Sequence, residues 1–126
     1  MYSRLIFFLC LGWLSVLSVR AQETSDQERE EAALAQVQKL REEILQGGNF
    51  AALAREYSDD PATAPQGGEL GFIEPGALVP EYEAAVAALK AGELTEPVRT
   101  KFGYHLIQLI ERKGDRINTR HILVKP

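Results

Sequence analysis

The fold of this chain is decided by GGELGFI, residues 67–73. The glycines at 67, 68 and 71 stand where a strand must turn sharply or approach another backbone, because glycine adopts positive φ at little steric cost. The apolar residues that follow them are typical of a strand. We therefore predict a short strand here, entered through a glycine turn.

The residues after this stretch predict one helix and further strands. Pro80 suits the first turn of a helix that runs to about Leu89, and Gly92 suits its stop. Two strands are predicted at 97–100 and 104–112, joined by a tight turn, and a strand-like run follows at 119–124. Both faces of 104–112 carry apolar side chains, which indicates a central position in the sheet.

The residues before the glycine stretch predict two helices and a polar loop. Ser25 with Glu28 has the spacing of a capping box, and apolar side chains follow at three- and four-residue steps up to Leu45. Asn49 can cap a second helix, whose buried face we expect to be formed by Phe50, Leu53 and Ala54. A polar loop is predicted at 58–65.

The first segment of the chain is typical of a secretory signal peptide. Arg4 precedes an apolar run from Leu5 to Val19, and the small residue Ala21 suits signal peptidase cleavage. A retained membrane anchor is the alternative, but the run is shorter than the roughly 20 apolar residues that span a bilayer. We expect removal of residues 1–21, a mature domain at 22–126 and a periplasmic or secreted protein.

Composition narrows the classes of function. A chain of 126 residues, 45% hydrophobic, can build one compact domain but hardly two. The formal net charge is −4, and loss of Arg4 and Arg20 with the signal makes it more negative, which argues against nucleic acid as a partner. Cys10, the only cysteine, would leave with the signal, which suits an oxidising compartment.

Three stretches in order resemble the parvulin family of peptidyl-prolyl cis-trans isomerases: GGELGF at 67–72, LVPEY at 78–82 and PVRTKFGYHLI at 97–107. Each is unremarkable alone, but the ordered set, from about Leu34 to Glu111, is specific. The resemblance implies an α+β fold with a four-stranded antiparallel sheet surrounded by helices. It also implies acceleration of X-Pro isomerisation in unfolded or extended exported polypeptides, without a cofactor.

One feature departs from the family pattern. Parvulins begin with a strand of Arg-His-Ile-Leu-Val type, whereas here that sequence stands near the end, at 120–124. Either residues 119–126 provide a permuted first strand, or they open a second parvulin domain of a tandem foldase that is truncated here. A neighbouring molecule could also fill the strand position, which would give a strand-swapped dimer.

The resemblance assigns the candidate site residue by residue. It implies that the proline ring is bound by Leu70, Leu78, Tyr82 and Phe102. It implies a polar network below the pocket made of His105, His121 and Thr100. It places Asp60 where some parvulins have cysteine, which argues against obligatory covalent catalysis and favours electrostatic weakening of the planar amide.

Each assignment has a structural alternative. The apolar residues could be core, the histidines could serve only as buried hydrogen-bonding groups, and Asp60 could cap the turn before Pro61. A non-catalytic chaperone or peptide-binding module is the main rival to the enzyme. A metal site is not expected, because His105 and His121 lack the spacing of zinc ligands.

Overall fold

The computed structural model gives the backbone from Tyr2 and describes the side chains of residues 16–126. The helices are α1 (Tyr2–Leu45), α2 (Phe50–Tyr57) and α3 (Pro80–Ala87), with a short 3₁₀ turn at Ala64–Gln66. The strands are β1 (Glu69–Ile73), β2 (Val98–Thr100), β3 (Gly103–Lys113) and β4 (Arg116–Val124). They form one antiparallel sheet in the order β1-β4-β3-β2, so the predicted α+β fold is confirmed.

Strand β4, the last in the chain, lies in the middle of the sheet. It forms a hairpin with β3 across Gly114 and Asp115, where Gly114 has φ +63°. On its other side it pairs with β1, with Phe72 opposite Asn118. The strand predicted at 119–124 is therefore present, and it begins three residues earlier, at Arg116.

One face of the sheet packs against α1 and α2. Its core joins the helical residues Ala33, Val37, Leu40, Phe50 and Ala54 to the strand residues Leu106, Ile122 and Val124. The opposite face packs against α3, where Tyr82 and Val86 contact Ile107 and Leu109. Because side chains alternate along a strand, this arrangement sends His105 and His121 to the α3 face.

The predicted start of the first helix at Ser25 is wrong. Helix α1 passes through Ser25 without interruption, and the Thr24 hydroxyl donates to the Arg20 carbonyl one turn earlier. A capping residue itself has a non-helical backbone conformation, whereas Ser25 lies inside α1. Here the flanking residues favour helix, and exposed pairs such as Gln27 with Glu31 add local support to the helix.

The side chains of residues 1–15 of the predicted signal peptide, with that of Cys10, lie outside the described part of the structure. Residues 16–21 are exposed and continue α1. Cleavage after Ala21 stays a prediction. Within residues 16–126, no helix offers a stretch long and apolar enough to cross a membrane.

Candidate functional site

A cavity of about 310 Å³ lies on the α3 face of the sheet. Its lining consists of Asp60, Leu70, Ala77, Leu78, Val79, Tyr82, Phe102, His105, His121 and Leu123. The structure therefore brings seven of the eight candidate site residues to one cavity. The eighth, Thr100, lies behind His105 and is hydrogen-bonded to it.

The two histidines come from neighbouring strands. His105 on β3 pairs with Leu123, and His121 on β4 pairs with Ile107, so the histidines are diagonal neighbours on one face. Their rings stack with centroids 5.2 Å apart and planes 23° apart. The central position of β4 is what brings His121 to this place.

A continuous chain of hydrogen bonds crosses the base of the cavity. Thr100 Oγ1 lies 2.7 Å from His105 Nε2, and the Nδ1 atoms of His105 and His121 are 3.0 Å apart. His121 Nε2 then lies 2.7 Å from Asp60 Oδ2. At the other end, the N–H of Phe102 donates to Thr100 Oγ1 over 3.2 Å. Every ring nitrogen of the pair is therefore hydrogen-bonded.

The charge states along this chain follow from its surroundings. Burial alone raises the pKa of Asp60, but hydrogen bonds from Thr63, His121 and the Ala62 N–H outweigh burial and hold that pKa below its ordinary value. Burial, together with the nearby His121, lowers the pKa of His105 to about 4. Burial also lowers the pKa of His121, against the opposing effect of Asp60. At neutral pH the carboxyl group is ionised and both imidazoles are neutral.

These charge states fix the direction of each hydrogen bond. An ionised Asp60 only accepts, so His121 donates from Nε2–H and its Nδ1 is an acceptor. His105 must then donate from Nδ1–H, which leaves its Nε2 to accept from the Thr100 hydroxyl. Each group in this series of hydrogen bonds donates in the direction of Asp60. The series therefore ends on the carboxylate that lines the cavity.

Tyr82 forms the floor of the cavity. Only 2% of Tyr82 is exposed, and its hydroxyl is 2.8 Å from the Thr119 hydroxyl. Its ring meets both imidazoles edge-on, with centroids 5.6 Å from His105 and 5.8 Å from His121. Burial raises the pKa of Tyr82, so its phenol stays neutral. Tyr82 is thus a core residue as well as a wall of the cavity.

The apolar wall combines half-buried and exposed side chains. Leu70 and Leu78 are half-buried, whereas Phe102 is 49% exposed at the rim. The carboxylate of Glu83, in the first turn of α3, accepts from the backbone N–H groups of Gly76 and Leu78, which holds this loop beside the cavity. Large apolar side chains that face solvent in this way are available to a ligand.

The loop that carries Asp60 is attached to β4. The Asp59 N–H donates to the Leu123 carbonyl, and the Leu123 N–H donates to Ser58 Oγ. Further along the loop, the His121 N–H donates to the Gly68 carbonyl over 2.9 Å. The loop and the strand therefore hold Asp60 and His121 in register.

Gly68→Ala should break this attachment. A Cβ at Gly68 would lie 2.2 Å from the His121 carbonyl oxygen, at φ +84°. Gly71→Ala is the matched control, because its φ is +78° and its Cβ would meet nothing within 4 Å. We expect Gly68→Ala to lower the free energy of unfolding by about 2 kcal/mol more than Gly71→Ala does in urea titrations. Equal losses would show that the close approach to His121 contributes nothing.

Sequence reasoning missed several residues of the site. Ala77, Val79 and Leu123 line the cavity, Thr119 holds the Tyr82 hydroxyl, and Thr63 bonds both Asp60 and His121. Thr63 stands in the predicted polar loop, three residues after Asp60, close enough in sequence for its hydroxyl to reach that carboxylate. That spacing was the available signal. Within residues 16–126, no three His, Cys, Asp or Glu side chains converge as a metal site.

Comparison with known families identifies the class of protein that this fold and cavity define. Residues 17–111 match the rotamase family described as the PPIC-type PPIase domain. The match covers most of the chain, so the chain belongs to this family of parvulin-type peptidyl-prolyl isomerase domains.

Individual relatives narrow the comparison. The chain is 49% identical over 90 residues to Chaperone SurA of Chromohalobacter salexigens, an alignment that covers 71% of this chain. It is 38% identical over 99 residues to Chaperone SurA of Nitrosococcus oceani, an alignment that covers 79% of this chain. Among solved structures, peptidylprolyl isomerase PrsA of Bacillus cereus gives a TM-score of 0.61 at 42% identity, covering 64% of this chain and 31% of that one. PrsA of Bacillus subtilis gives 0.60 at 34% identity, covering 64% and 32%.

The chain spans about a fifth of the length of these curated relatives, 21% and 22%, and about a third of the solved chains. The comparisons therefore concern one domain of longer proteins.

Proposed function

We propose that this chain catalyses cis-trans isomerisation of X-Pro bonds in extended polypeptides. The observation that carries the proposal is the single cavity in which an apolar wall meets the hydrogen-bonded Asp60 carboxylate. The apolar wall can bind a proline ring by burying it. The fixed anion can favour the twisted amide, in which conjugation is lost.

The chemistry requires no bond to be broken. Rotation about an X-Pro bond is slow because amide resonance must be lost, at a barrier of roughly 20 kcal/mol. Leu70, Leu78 and Phe102 would bind the ring, and burial of such a ring contributes about 2 kcal/mol. A proline ring bound against the apolar wall would displace water, which would otherwise stabilise the planar amide.

Asp60 would act electrostatically. Its carboxylate lines the cavity with 23% of the side chain exposed, so it can approach the substrate carbonyl. A negative charge there opposes the build-up of charge on the oxygen of the planar amide, and so favours the twisted form. His105, His121 and Thr100 would hold the carboxylate in place and need not transfer protons, because rotation about an amide bond makes and breaks no bond to hydrogen.

The substrate would be an unfolded or extended exported protein. The cavity lining includes no lysine or arginine, which disfavours a phosphorylated residue beside the proline. The names of the relatives, a chaperone and a peptidylprolyl isomerase, are consistent with a foldase domain. A signal peptide cleaved near Ala21 would place the domain in the periplasm or outside the cell.

Strand β4 bears on the domain organisation. Its central pairing with β1 and β3 supports the proposal that residues 22–126 act as one domain in which β4 serves as a permuted first strand. In a tandem foldase, or in a strand-swapped dimer, the equivalent strand would be supplied by another segment or another copy. In either case that strand would have to supply side chains equivalent to Thr119, His121 and Leu123 to form the same cavity.

A chaperone that binds without catalysis is the second candidate, since the exposed ring of Phe102 and the apolar wall would bind peptides either way. One preparation should therefore be tested for both activities with an Ala-Pro peptide and a matched Ala-Ala peptide. The proposal predicts faster cis-trans conversion of the proline peptide in a protease-coupled assay, together with preferential binding of that peptide. Binding of both peptides without a change in rate would favour the chaperone.

A further inference from the structure

The Thr63 hydroxyl lies at the junction of the Asp60–His121 pair. It donates to Asp60 Oδ2 over 2.7 Å and lies 3.1 Å from His121 Nε2. Only 9% of Thr63 is exposed. The same carboxylate oxygen thus receives the Thr63 hydroxyl and the His121 N–H, and the three side chains form a closed triangle.

The main chain also ties Thr63 to β4. The Gly68 N–H donates to the Thr63 carbonyl over 2.9 Å, and the Gly68 carbonyl accepts from the His121 N–H over 2.9 Å. The Thr63 N–H in turn donates to the Asp60 carbonyl. The backbone therefore joins Thr63 to Asp60 directly and to His121 through Gly68, which keeps Thr63 between the two side chains that its hydroxyl contacts.

The Thr63 hydroxyl restricts the orientation of the Asp60 carboxylate. Without it, Asp60 could rotate about its side-chain bonds toward solvent, because one edge of the carboxylate is exposed. The hydroxyl directs Oδ2 toward His121 while the Ala62 N–H holds Oδ1 over 3.1 Å. Two anchors on two oxygens fix the plane of the carboxylate.

We propose that Thr63 is a positioning residue for the reaction: its hydroxyl fixes the Asp60 carboxylate so that it faces the carbonyl of a bound X-Pro substrate. The inference rests on the isomerase function proposed above. It assigns Thr63 a part in turnover, whereas the binding of the proline ring depends on the apolar wall formed by Leu70, Leu78 and Phe102.

The test compares Thr63→Val, which replaces the hydroxyl by a methyl group of similar size, with Thr63→Ser, which keeps the hydroxyl. We expect Thr63→Val to reduce kcat toward an Ala-Pro peptide about tenfold and to leave KM within about twofold, the effect of one lost hydrogen bond to a charged group. Thr63→Ser should restore kcat. In carbon-13 titrations, the Asp60 carboxyl group of Thr63→Val should titrate at higher pH than in the parent chain, with Thr63→Ser close to the parent.

Each outcome decides the matter. An unchanged titration of Asp60 in Thr63→Val, an unchanged kcat, or a Thr63→Ser variant as impaired as Thr63→Val would overturn the proposal. If the parent chain itself shows no isomerase activity, the proposed function fails, and the turnover role of Thr63 fails with it even where the titration shifts. Should Thr63→Val not fold, Thr63→Ala is measured with the same readouts and the same criteria.

Discussion

Leu78→Asp should reduce kcat/KM toward an X-Pro peptide by at least about thirtyfold, the equivalent of the roughly 2 kcal/mol gained by burying an apolar ring. The new carboxylate would stand in the apolar wall of the cavity and would have to lose water when the proline ring enters. Leu78 lies in the loop before α3, outside every strand and helix, but it packs against the core that contains Tyr82, so the fold must be measured beside the rate. A protease-coupled assay measures the rate, and circular dichroism reports the fold.

Leu45→Asp is the matched control for this substitution. It makes the same chemical change at the last residue of α1, where the leucine is 56% exposed and does not line the cavity. We expect its activity to equal that of the parent chain. Equal activity of Leu78→Asp and Leu45→Asp would contradict the assignment of the cavity as the proline pocket.

Deletion of residues 114–126 should abolish cooperative folding. The deletion removes β4 from the middle of the sheet, so β1 and β3 lose their shared partner. It also removes the buried side chains of Ile122, Leu123 and Val124, whose burial contributes roughly 6 kcal/mol in total, comparable with the whole stability of a small domain. Thermal unfolding followed by circular dichroism should show no sharp transition.

A peptide with the sequence of residues 115–126 provides the control for this deletion. If β4 can pair with β1 and β3 of the shortened chain, an excess of the peptide should restore a cooperative unfolding transition. A peptide that carries His121→Ala should also restore folding, but it should not restore isomerase activity. A shortened chain that unfolds cooperatively by itself would show that β4 is dispensable. The family match ends at residue 111, so this experiment also tests what the residues beyond it contribute.

Local patterns were enough to predict the sheet and its helical layers. The glycines of GGELGFI carry positive φ, as the turn and close approach required, and Gly68 leaves no room for a Cβ beside His121. Alternation along residues 104–112 indicated a strand buried on both sides, and β3 is covered by α1 on one face and α3 on the other. These features depend on neighbours in sequence, which a single sequence contains.

The start of α1 and the polar contacts of the site were harder to predict. Ser25 satisfies a capping pattern, but nothing in the sequence stops the preceding residues from continuing the helix. Thr63 also meets His121 and Thr119 meets Tyr82, partners far away in sequence, and only the folded chain shows these two contacts. The family resemblance predicted the candidate site, because no local sequence pattern links Asp60 to His121.

The most direct measurement is NMR exchange spectroscopy on an Ala-Pro peptide with a catalytic amount of the chain. If the chain is an isomerase, we expect exchange cross-peaks between the cis and trans forms that are absent without protein. We also expect amide shift changes at Leu70, Leu78 and Phe102 when peptide is in excess. Cis-trans exchange no faster than in free peptide, or shift changes confined to surfaces away from these residues, would contradict the proposal.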